Sequence, residues 1–160
     1  MKIIPLTQGK NAIVDDDDYE WLSQWKWHAA KIRNVFYVAR KIRVDGVVKT
    51  ILMHREISKP PTGMQIDHIN GDPLDNRREN LRICTNTDNQ RNRPIHKDNI
   101  SGFKGVRPRR GNNNKYEAYI FHNGKQIYLG KYEDINLAAQ AYDNAAKFYH
   151  GGFASLNFKT

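Results

Sequence analysis

The chain has 160 residues, of which 39% are hydrophobic, so it can form one ordinary domain or two small ones with modest cores. Its formal net charge is +9, and a soluble protein this short and basic usually meets a polyanion, most often nucleic acid. The single cysteine, Cys84, excludes an internal disulfide and a zinc site built on paired cysteines. No long apolar run is present at the N-terminus, so we expect no secretion signal, no membrane span and a cytoplasmic location in a bacterial or phage-infected cell.

The positive charge is uneven along the chain. Residues 1–85 carry 14 Lys and Arg against 11 Asp and Glu, whereas residues 86–160 carry 12 against 6. The C-terminal half is therefore the stronger candidate for electrostatic docking.

The first sixty residues predict a β-rich region. Residues 2–14 predict two short strands around a glycine turn, and a short helix follows whose acidic start, Asp15 to Asp18, suits the helix dipole. We interpret these four aspartates as a cap and a solvated face rather than as a metal site. Residues 35–44 and 47–57 predict two strands around Asp45-Gly46, a dipeptide that strongly favours a hairpin.

Residues 66–93, IDHINGDPLDNRRENLRICTNTDNQRNR, are too polar for a core element. A brief strand is predicted up to Asp67-His68, then a loop rich in Gly, Pro, Asn and Asp, and then a second strand. Thr85 is the expected N-cap of a short helical turn that Pro94 ends, and Asp88 completes an imperfect capping box. The order strand, loop, strand, helix places Asp67 and His68 opposite the helix that carries Asn89.

This arrangement suits phosphodiester hydrolysis. A histidine near neutral pH can take the proton of an attacking water molecule. Asp67 and Asn89 offer two hard oxygen ligands, which suit one Mg²⁺ or Mn²⁺ per active site better than zinc. An isolated Asp-His pair is usually only part of a turn, but the full spacing from His68 through Asn80 to Asn89 favours catalysis.

Asp67-His68, the segment NRRENLR and the pattern Thr85-x-x-x-Asn89 together resemble the HNH (ββα-metal) nucleases, in particular the phage and intron-type homing endonucleases. The resemblance implies a nuclease domain over residues 1–98, with the ββα-metal motif at residues 64–94.

The same resemblance implies a role for each matching residue. His68 is the expected general base and Asp67 a metal ligand. Asn80 is expected to hold the loop so that His68 is aimed at its target. Asn89 occupies the position where many relatives carry the last histidine, and it is the second expected metal ligand.

The other basic residues near this motif are less specific. A structural role is the first interpretation of His54, although a strand entering the site would allow it to touch phosphate. Arg77, Arg78 and Arg82 are either solvated charges or phosphate contacts. Arg91 and Arg93 are the stronger candidates for contacts with DNA phosphates.

The pattern changes from Phe103 onward. Three short strand-like runs are predicted, with a hairpin signal at Asn123-Gly124 between the second and the third. An amphipathic helix is then predicted within residues 133–152, and a glycine pair ends it. The expected buried face of this helix consists of Leu137, Ala138, Ala141, Tyr142, Ala145 and Phe148.

Residues 102–159 resemble the DNA-binding domain of plant ethylene-response factors (Apetala type). The matching marks are Gly105-Val106-Arg107, Tyr128-Leu129-Gly130, the segment AAQAYDNAA and Leu156-Asn157-Phe158. The resemblance implies a domain over residues 99–160 in which a three-stranded antiparallel sheet packs on one helix and lies in the major groove. The candidate DNA contacts are Arg107, Arg109, Arg110, Lys115, Tyr119, Lys125 and Tyr128. The segment RRGNNNK departs from the plant pattern, so the plant target sequence is not carried over.

The sequence thus predicts an α+β protein with a β-rich N-terminal region, an HNH unit and a small sheet-and-helix domain. The predicted function is site-specific, metal-dependent cleavage of double-stranded DNA by a homing-type endonuclease. We expect a monomer or homodimer, with no membrane and no small-molecule cofactor. The alternative is a non-catalytic, sequence-specific DNA-binding protein or regulator with a decayed nuclease module, which the intact Asp67, His68 and Asn89 disfavour. RNA binding is a third class, but no known RNA-binding signature is present.

Overall fold

A computed structural model describes residues 1–93, 95–109 and 111–158, without the side chains of residues 112–114. Antiparallel sheets and helices are combined along the chain, which confirms the predicted α+β class. In these described ranges no helix is both long and apolar enough to cross a membrane.

The chain divides into two compact units, Met1–Asn89 and Gln90–Thr160. The predicted domain boundary, between residues 98 and 99, lies further along the chain. The division falls inside a short helix, so a cut placed there would interrupt a continuous element.

The first unit contains three small sheets. Strand β1 pairs with β2, the strands β3, β4 and β5 form a three-stranded sheet, and β6 pairs with β7, all antiparallel. In chain order the elements are β1 Lys2–Pro5, β2 Asn11–Val14, α1 Asp16–Ser23, β3 His28–Ile32, β4 Val35–Val44, β5 Val47–Leu52, α2 Met53–Ser58, β6 Gln65–His68, β7 Leu81–Cys84 and α3 Asn86–Arg91.

One hydrophobic core joins these elements. Helix α2 contributes Met53 and Ile57, which are four residues apart and therefore lie on one face of the helix. The core consists of Ile4, Ala12, Val14, Leu22, Trp27, Val38, Met53 and Ile57. This packing holds α2 against the core of the first unit.

One prediction about the elements of this unit is wrong, and one strand was not predicted. Residues 53–57 were expected to continue the second strand of the hairpin, but they form α2, which ends at Ser58 and is followed by Lys59 in the left-handed region with a φ of 43°. Burial of one side of a helix accounts for the change, because Met53 and Ile57 meet the same core. The segment His28–Ile32, for which no strand was predicted, forms β3.

The acidic run at the start of α1 is only partly solvated, so its interpretation as a solvated face is wrong at Asp18. Asp18 is 2% exposed and accepts hydrogen bonds from Arg78 Nε at 2.8 Å and Nη2 at 2.7 Å. Asp15 Oδ2 accepts a further bond from the Arg78 backbone nitrogen at 2.7 Å. Arg78 therefore anchors the segment before β7 to the start of α1.

The second unit has one sheet and one long helix. The strands are β8 Val106–Arg109, β9 Asn112–His122 and β10 Lys125–Tyr132, in the order β10-β9-β8, and the helix is α4 Ile135–His150. All pairs are antiparallel, and α4 packs on β9 and β10. This is the arrangement that the resemblance to the plant domain implies.

Gly105 shows how closely helix and sheet approach in the second unit. Its φ is +73°, and a Cβ placed there would lie 1.9 Å from Tyr142 Cδ2 and 2.6 Å from the carbonyl oxygen of Tyr119. Only glycine fits this position, because any side chain would collide with the ring that α4 presents to the sheet.

The predicted buried face of α4 is wrong at both ends. Leu137 is 52% exposed and Phe148 is 82% exposed. The buried residues are instead Ala138, Ala139, Tyr142, Asp143, Ala146 and His150. Small side chains bring the helix close to the sheet, and Asp143 is buried because it accepts hydrogen bonds from the backbone nitrogens of Asn157 at 2.8 Å and Phe158 at 2.9 Å.

Candidate active site

Asp67 and His68 are the last two residues of β6. Their register partners on β7 are Arg82 and Leu81, and each of the two side chains is 6% exposed. Successive strand residues point to opposite faces, so Asp67 shares a face with Gln65 whereas His68 faces the other way. The side chains of Asp67 and His68 therefore lie on opposite faces of one short hairpin.

Arg82 holds the carboxylate of Asp67. Arg82 Nε and Nη2 donate to Asp67 Oδ2 at 2.8 and 2.5 Å, and the arginine side chain is only 18% exposed. A carboxylate buried to this degree requires a compensating cation. Arg82 is the cation that compensates the charge of Asp67. The sequence analysis interpreted Arg82 as a solvated charge or a phosphate contact and did not predict this ion pair.

Asn89 is joined to β6 through Gln65. Asn89 Nδ2 donates to Gln65 Oε1 at 2.6 Å, while Gln65 Nε2 donates to Asn86 Oδ1 at 3.2 Å. The Asn89 amide therefore uses its nitrogen toward the strand, and its oxygen is the atom that can act as a ligand. Because Gln65 and Asp67 share a face of β6, this bond brings α3 to the side of the hairpin that carries the carboxylate.

The start of α3 is capped as predicted. The Asp88 backbone nitrogen donates to Thr85 Oγ1 at 3.2 Å, and the Thr85 backbone nitrogen donates to Asp88 Oδ2 at 3.3 Å. The Asn89 backbone nitrogen bonds to the Thr85 carbonyl at 3.1 Å, which places Asn89 one turn into the helix.

Two buried asparagines hold the loop between β6 and β7. Asn80 Nδ2 donates to the Asp75 carbonyl at 2.7 Å, and Asn80 Oδ1 accepts from the Asn70 backbone nitrogen at 2.9 Å. Asn76 is fully buried, and its backbone nitrogen bonds to the Ile13 carbonyl of β2 at 2.8 Å. Asn76 was not singled out in the sequence, because asparagine is an ordinary residue of turns.

His68 is held in its neutral form. Burial lowers its pKa, against the opposing effects of the Asn76 side chain and of the negative charges of Asp67, Asp72 and Asp75. An imidazole whose pKa is lowered is unprotonated at pH 7, which is the form that accepts a proton.

His54 lies beside His68. The two ring centroids are 5.1 Å apart with perpendicular planes, and the His54 side chain is 6% exposed. Burial, and then electrostatic interactions with His68 and Arg55, lower the pKa of His54 to about 3. The expected strand position of His54 is wrong, since it is the second residue of α2.

No three His, Cys, Asp or Glu residues cluster as a possible metal site anywhere in the described ranges. The predicted ligands are instead one carboxylate, Asp67, and one amide, Asn89. Both supply hard oxygen atoms, so the donor chemistry fits Mg²⁺ or Mn²⁺.

The remaining arginines near the motif have other contacts. Arg77 Nη2 lies 2.7 Å from Asp75 Oδ2 and lowers the pKa of that carboxyl. Arg91 ends α3 and Arg93 follows it. The carbonyls of both accept hydrogen bonds at 2.7 Å from Lys104 Nζ, whose pKa burial lowers to about 8.

The sheet of the second unit has one face that α4 does not cover. Ala118 and Ile120 of β9 are buried against the helix, so Tyr119 points to the other face. There the Arg107 guanidinium lies 4.2 Å from the Tyr119 ring centroid, and the Tyr119 and Tyr128 rings are 5.3 Å apart. One cation and two aromatic rings thus form a continuous exposed patch.

Glu117 is an acidic member of this face. Its Oε2 lies 3.3 Å from Arg107 Nη2 and accepts a hydrogen bond from Tyr119 Oη at 2.8 Å. The bond from Tyr119, opposed by burial and assisted by Arg107, lowers the pKa of Glu117. The carboxylate therefore orients both neighbours on the open face.

The other candidates on the sheet are more dispersed. Strand alternation puts Lys125 on the side that faces α4. Lys115 Nζ lies 3.3 Å from Glu133 Oε1, and Arg109 follows a register shift at the end of β8. Arg110 lies outside the described residues.

Comparison with known proteins assigns the family. Residues 59–91 match the family model described as HNH endonuclease. Over 151 residues the chain is 30% identical to an uncharacterized HNH endonuclease of Acanthamoeba polyphaga mimivirus, and the alignment covers 94% of this chain and 76% of that protein. The chain belongs to the HNH endonuclease family.

Other relatives align with shorter parts of this HNH endonuclease. Protein 3.8 of Escherichia phage T7 is 31% identical over 94 residues, which cover 59% of this chain and 76% of that protein. An AP2-like ethylene-responsive transcription factor of Arabidopsis thaliana is 43% identical over 44 residues, or 28% of this chain and 9% of the plant protein. Both resemblances predicted from the sequence are confirmed.

Proposed function

We propose that the chain is a site-specific, divalent-metal-dependent endonuclease of the homing type that hydrolyses phosphodiester bonds in duplex DNA. One observation carries the proposal: a buried carboxylate and a neutral imidazole end the same strand, and Asn89 is bonded to that strand through Gln65. Membership of the HNH family supports nuclease chemistry. The viral and phage relatives support action on DNA in an infected cell.

His68 would act as the general base. Its lowered pKa keeps the ring nitrogen able to accept a proton from water at neutral pH. Asn80 would maintain the geometry by tying the two ends of the loop together, since it bonds to both Asn70 and Asp75. Neither residue needs to bind DNA strongly in the ground state for this role.

Asp67 and Asn89 would hold one Mg²⁺ or Mn²⁺. When bound, the ion supplies positive charge that stabilises the phosphate transition state and the leaving oxygen. Asp67 would share its carboxylate between this ion and Arg82, which already contacts Oδ2. Asn89 would offer its amide oxygen while its nitrogen stays on Gln65.

The second unit would bind the duplex. A two- or three-stranded sheet can enter the major groove, and Arg107, Tyr119 and Tyr128 lie together on the open face. The plant relative is named a transcription factor, which supports DNA as the partner. The further candidate phosphate contacts are Arg91, Arg93, Arg109, Arg110 and Lys115, whereas Lys125 lies on the side of the sheet that faces α4.

The proposal is tested by cleavage of plasmid DNA with Mg²⁺, with Mn²⁺ and with EDTA. Asp67→Ala and Asn89→Ala should each slow cutting by about 10²-fold or more, because a bound ion contributes several kcal/mol, and high Mn²⁺ should restore part of the rate. Asn144→Ala, an exposed asparagine on α4, is the matched control and should cut like the wild type.

Cutting by the wild type in EDTA would refute the metal dependence. Binding of DNA without cutting under any of these conditions would support the alternative, a non-catalytic DNA-binding protein.

A further inference from the structure

The ring of His54 is fixed by its surroundings. It is the second residue of α2, a short helix whose Met53 and Ile57 are buried in the core. The helix packs against β6 and β7, the two strands that carry the candidate active site. The Tyr37 ring lies on His54 as well, at 5.9 Å between centroids and 62° between planes.

The contact between His54 and His68 is a packing contact of two rings. Perpendicular rings with centroids 5.1 Å apart are in the edge-to-face arrangement that aromatic pairs prefer. Among the described residues the buried Nδ1 of His54 has no hydrogen-bond partner. The rings of Tyr37 and His68 both contact His54.

A general base works only when its ring is held close to the productive orientation, within about 0.5 Å and 10–20°. The side chain of Asn76, on the loop that follows β6, acts on His68 and opposes the lowering of its pKa. The perpendicular ring of His54 packs against the His68 ring, and close packing of this kind limits rotation of His68 about its side-chain bonds.

We propose that His54 is a positioning residue of the active site, and that the edge-to-face contact of its ring sets the orientation of the His68 imidazole. The proposal rests on the proposed function, in which His68 accepts the proton of water. It assigns His54 no contact with DNA, metal or water.

The experiment compares His54→Ala and His54→Phe in the full chain with Mg²⁺ and saturating plasmid DNA. Phenylalanine keeps a ring and removes both nitrogens, whereas alanine removes the ring. We expect His54→Ala to lower kcat by about 10- to 100-fold with unchanged affinity for DNA, since a small misplacement of a reacting group has effects of this size. His54→Phe should stay within about threefold of the wild type, because the ring contact survives.

Two kinetic results would overturn the proposal. One is a wild-type kcat for His54→Ala. The other is a His54→Phe variant that cuts as slowly as His54→Ala although it unfolds at the same temperature as the wild type. In that case the ring nitrogens of His54, and not its ring, would be what His68 requires. His96→Ala, at a histidine whose side chain is 76% exposed, controls for loss of a histidine as such.

A second readout is independent of cleavage. The ring carbon-bound protons of His68 should give NMR signals displaced by the neighbouring ring in the wild type and in His54→Phe. In His54→Ala these signals should move toward ordinary histidine positions and broaden as the ring samples several orientations. Unchanged His68 signals in His54→Ala would overturn the proposal. A wild type that never cuts would refute the nuclease function, and the NMR comparison would still test the contact.

Discussion

At the scale of single residues, the ion pair between Asp67 and Arg82 makes the burial of a carboxylate possible in the candidate active site. We expect Arg82→Gln to lower the free energy of unfolding by roughly 3 kcal/mol, because it leaves a buried charge without its partner. Mg²⁺ should restore part of that loss if Asp67 binds the ion, since binding to the folded state stabilises it.

Urea unfolding with and without Mg²⁺ measures both effects. Arg43→Gln, at an exposed arginine of β4, is the control and should change little. Equal stability of the two variants would show that Arg82 does not carry the charge of Asp67. A loss in Arg82→Gln on which Mg²⁺ has no influence would argue against Asp67 as a ligand.

The sequence identified the polar residues of the hairpin but not all of their partners. The spacing of Asp67, His68 and Asn89 singled them out. Local patterns predict both the strand that ends at Asp67 and His68 and the helical turn that carries Asn89. Arg82 and His54 were not assigned to the site, since both contacts depend on how separate elements pack. A pairing between Arg78 and Asp18, sixty positions apart, is likewise invisible to periodicity.

At the scale of secondary-structure elements, the interface between α2 and β6 buries two histidines. The pKa of His54 is about 3 in the folded chain, against an ordinary value of 6.5, and burial lowers the pKa of His68 as well. Below pH 6.5 the unfolded chain therefore binds more protons than the folded one. Stability should fall as the pH falls from 6.5 toward 3, by at most about 1.4 kcal/mol per pH unit for His54.

Urea unfolding at a series of pH values measures this dependence. His54→Phe should flatten the decline, because one of the two buried titrating groups is gone. Stability that stays constant or rises on acidification to about pH 4, in the wild type, would contradict the burial of neutral histidines at this interface.

Elements with a strong local signal were predicted well. The turns at Asp45-Gly46 and Asn123-Gly124 adopt the positive φ angles that tight hairpins need, and α4 ends at the glycine pair. Helix α2 was missed because it is one and a half turns long and follows a strand directly, so tertiary packing rather than propensity decides its form. The face of α4 was misjudged because alanines, not its largest side chains, lie against the sheet.

At the scale of the whole molecule, the positive charge of the C-terminal half should dominate affinity for DNA. Arg107→Glu should weaken binding most at low salt and reduce the dependence of affinity on salt, because it removes a cation from the open face of the sheet. The cleavage rate at saturating DNA should stay near that of the wild type. Lys147→Glu makes the same charge change on an exposed residue of α4 and is the matched control.

A titration of DNA binding at several salt concentrations separates the two variants. Equal losses for Arg107→Glu and Lys147→Glu would mean that only net charge matters, and the open face of the sheet would lose its special role.

The proposed cleavage of DNA depends most on His68 as the general base. The most direct measurement is the rate of plasmid cleavage by His68→Ala and by the wild type with Mg²⁺, with DNA affinity measured on the same preparations. We predict a loss of about 10²- to 10⁴-fold in rate with nearly unchanged affinity, because a general base acts in the transition state. Cleavage by His68→Ala at the wild-type rate would contradict the account.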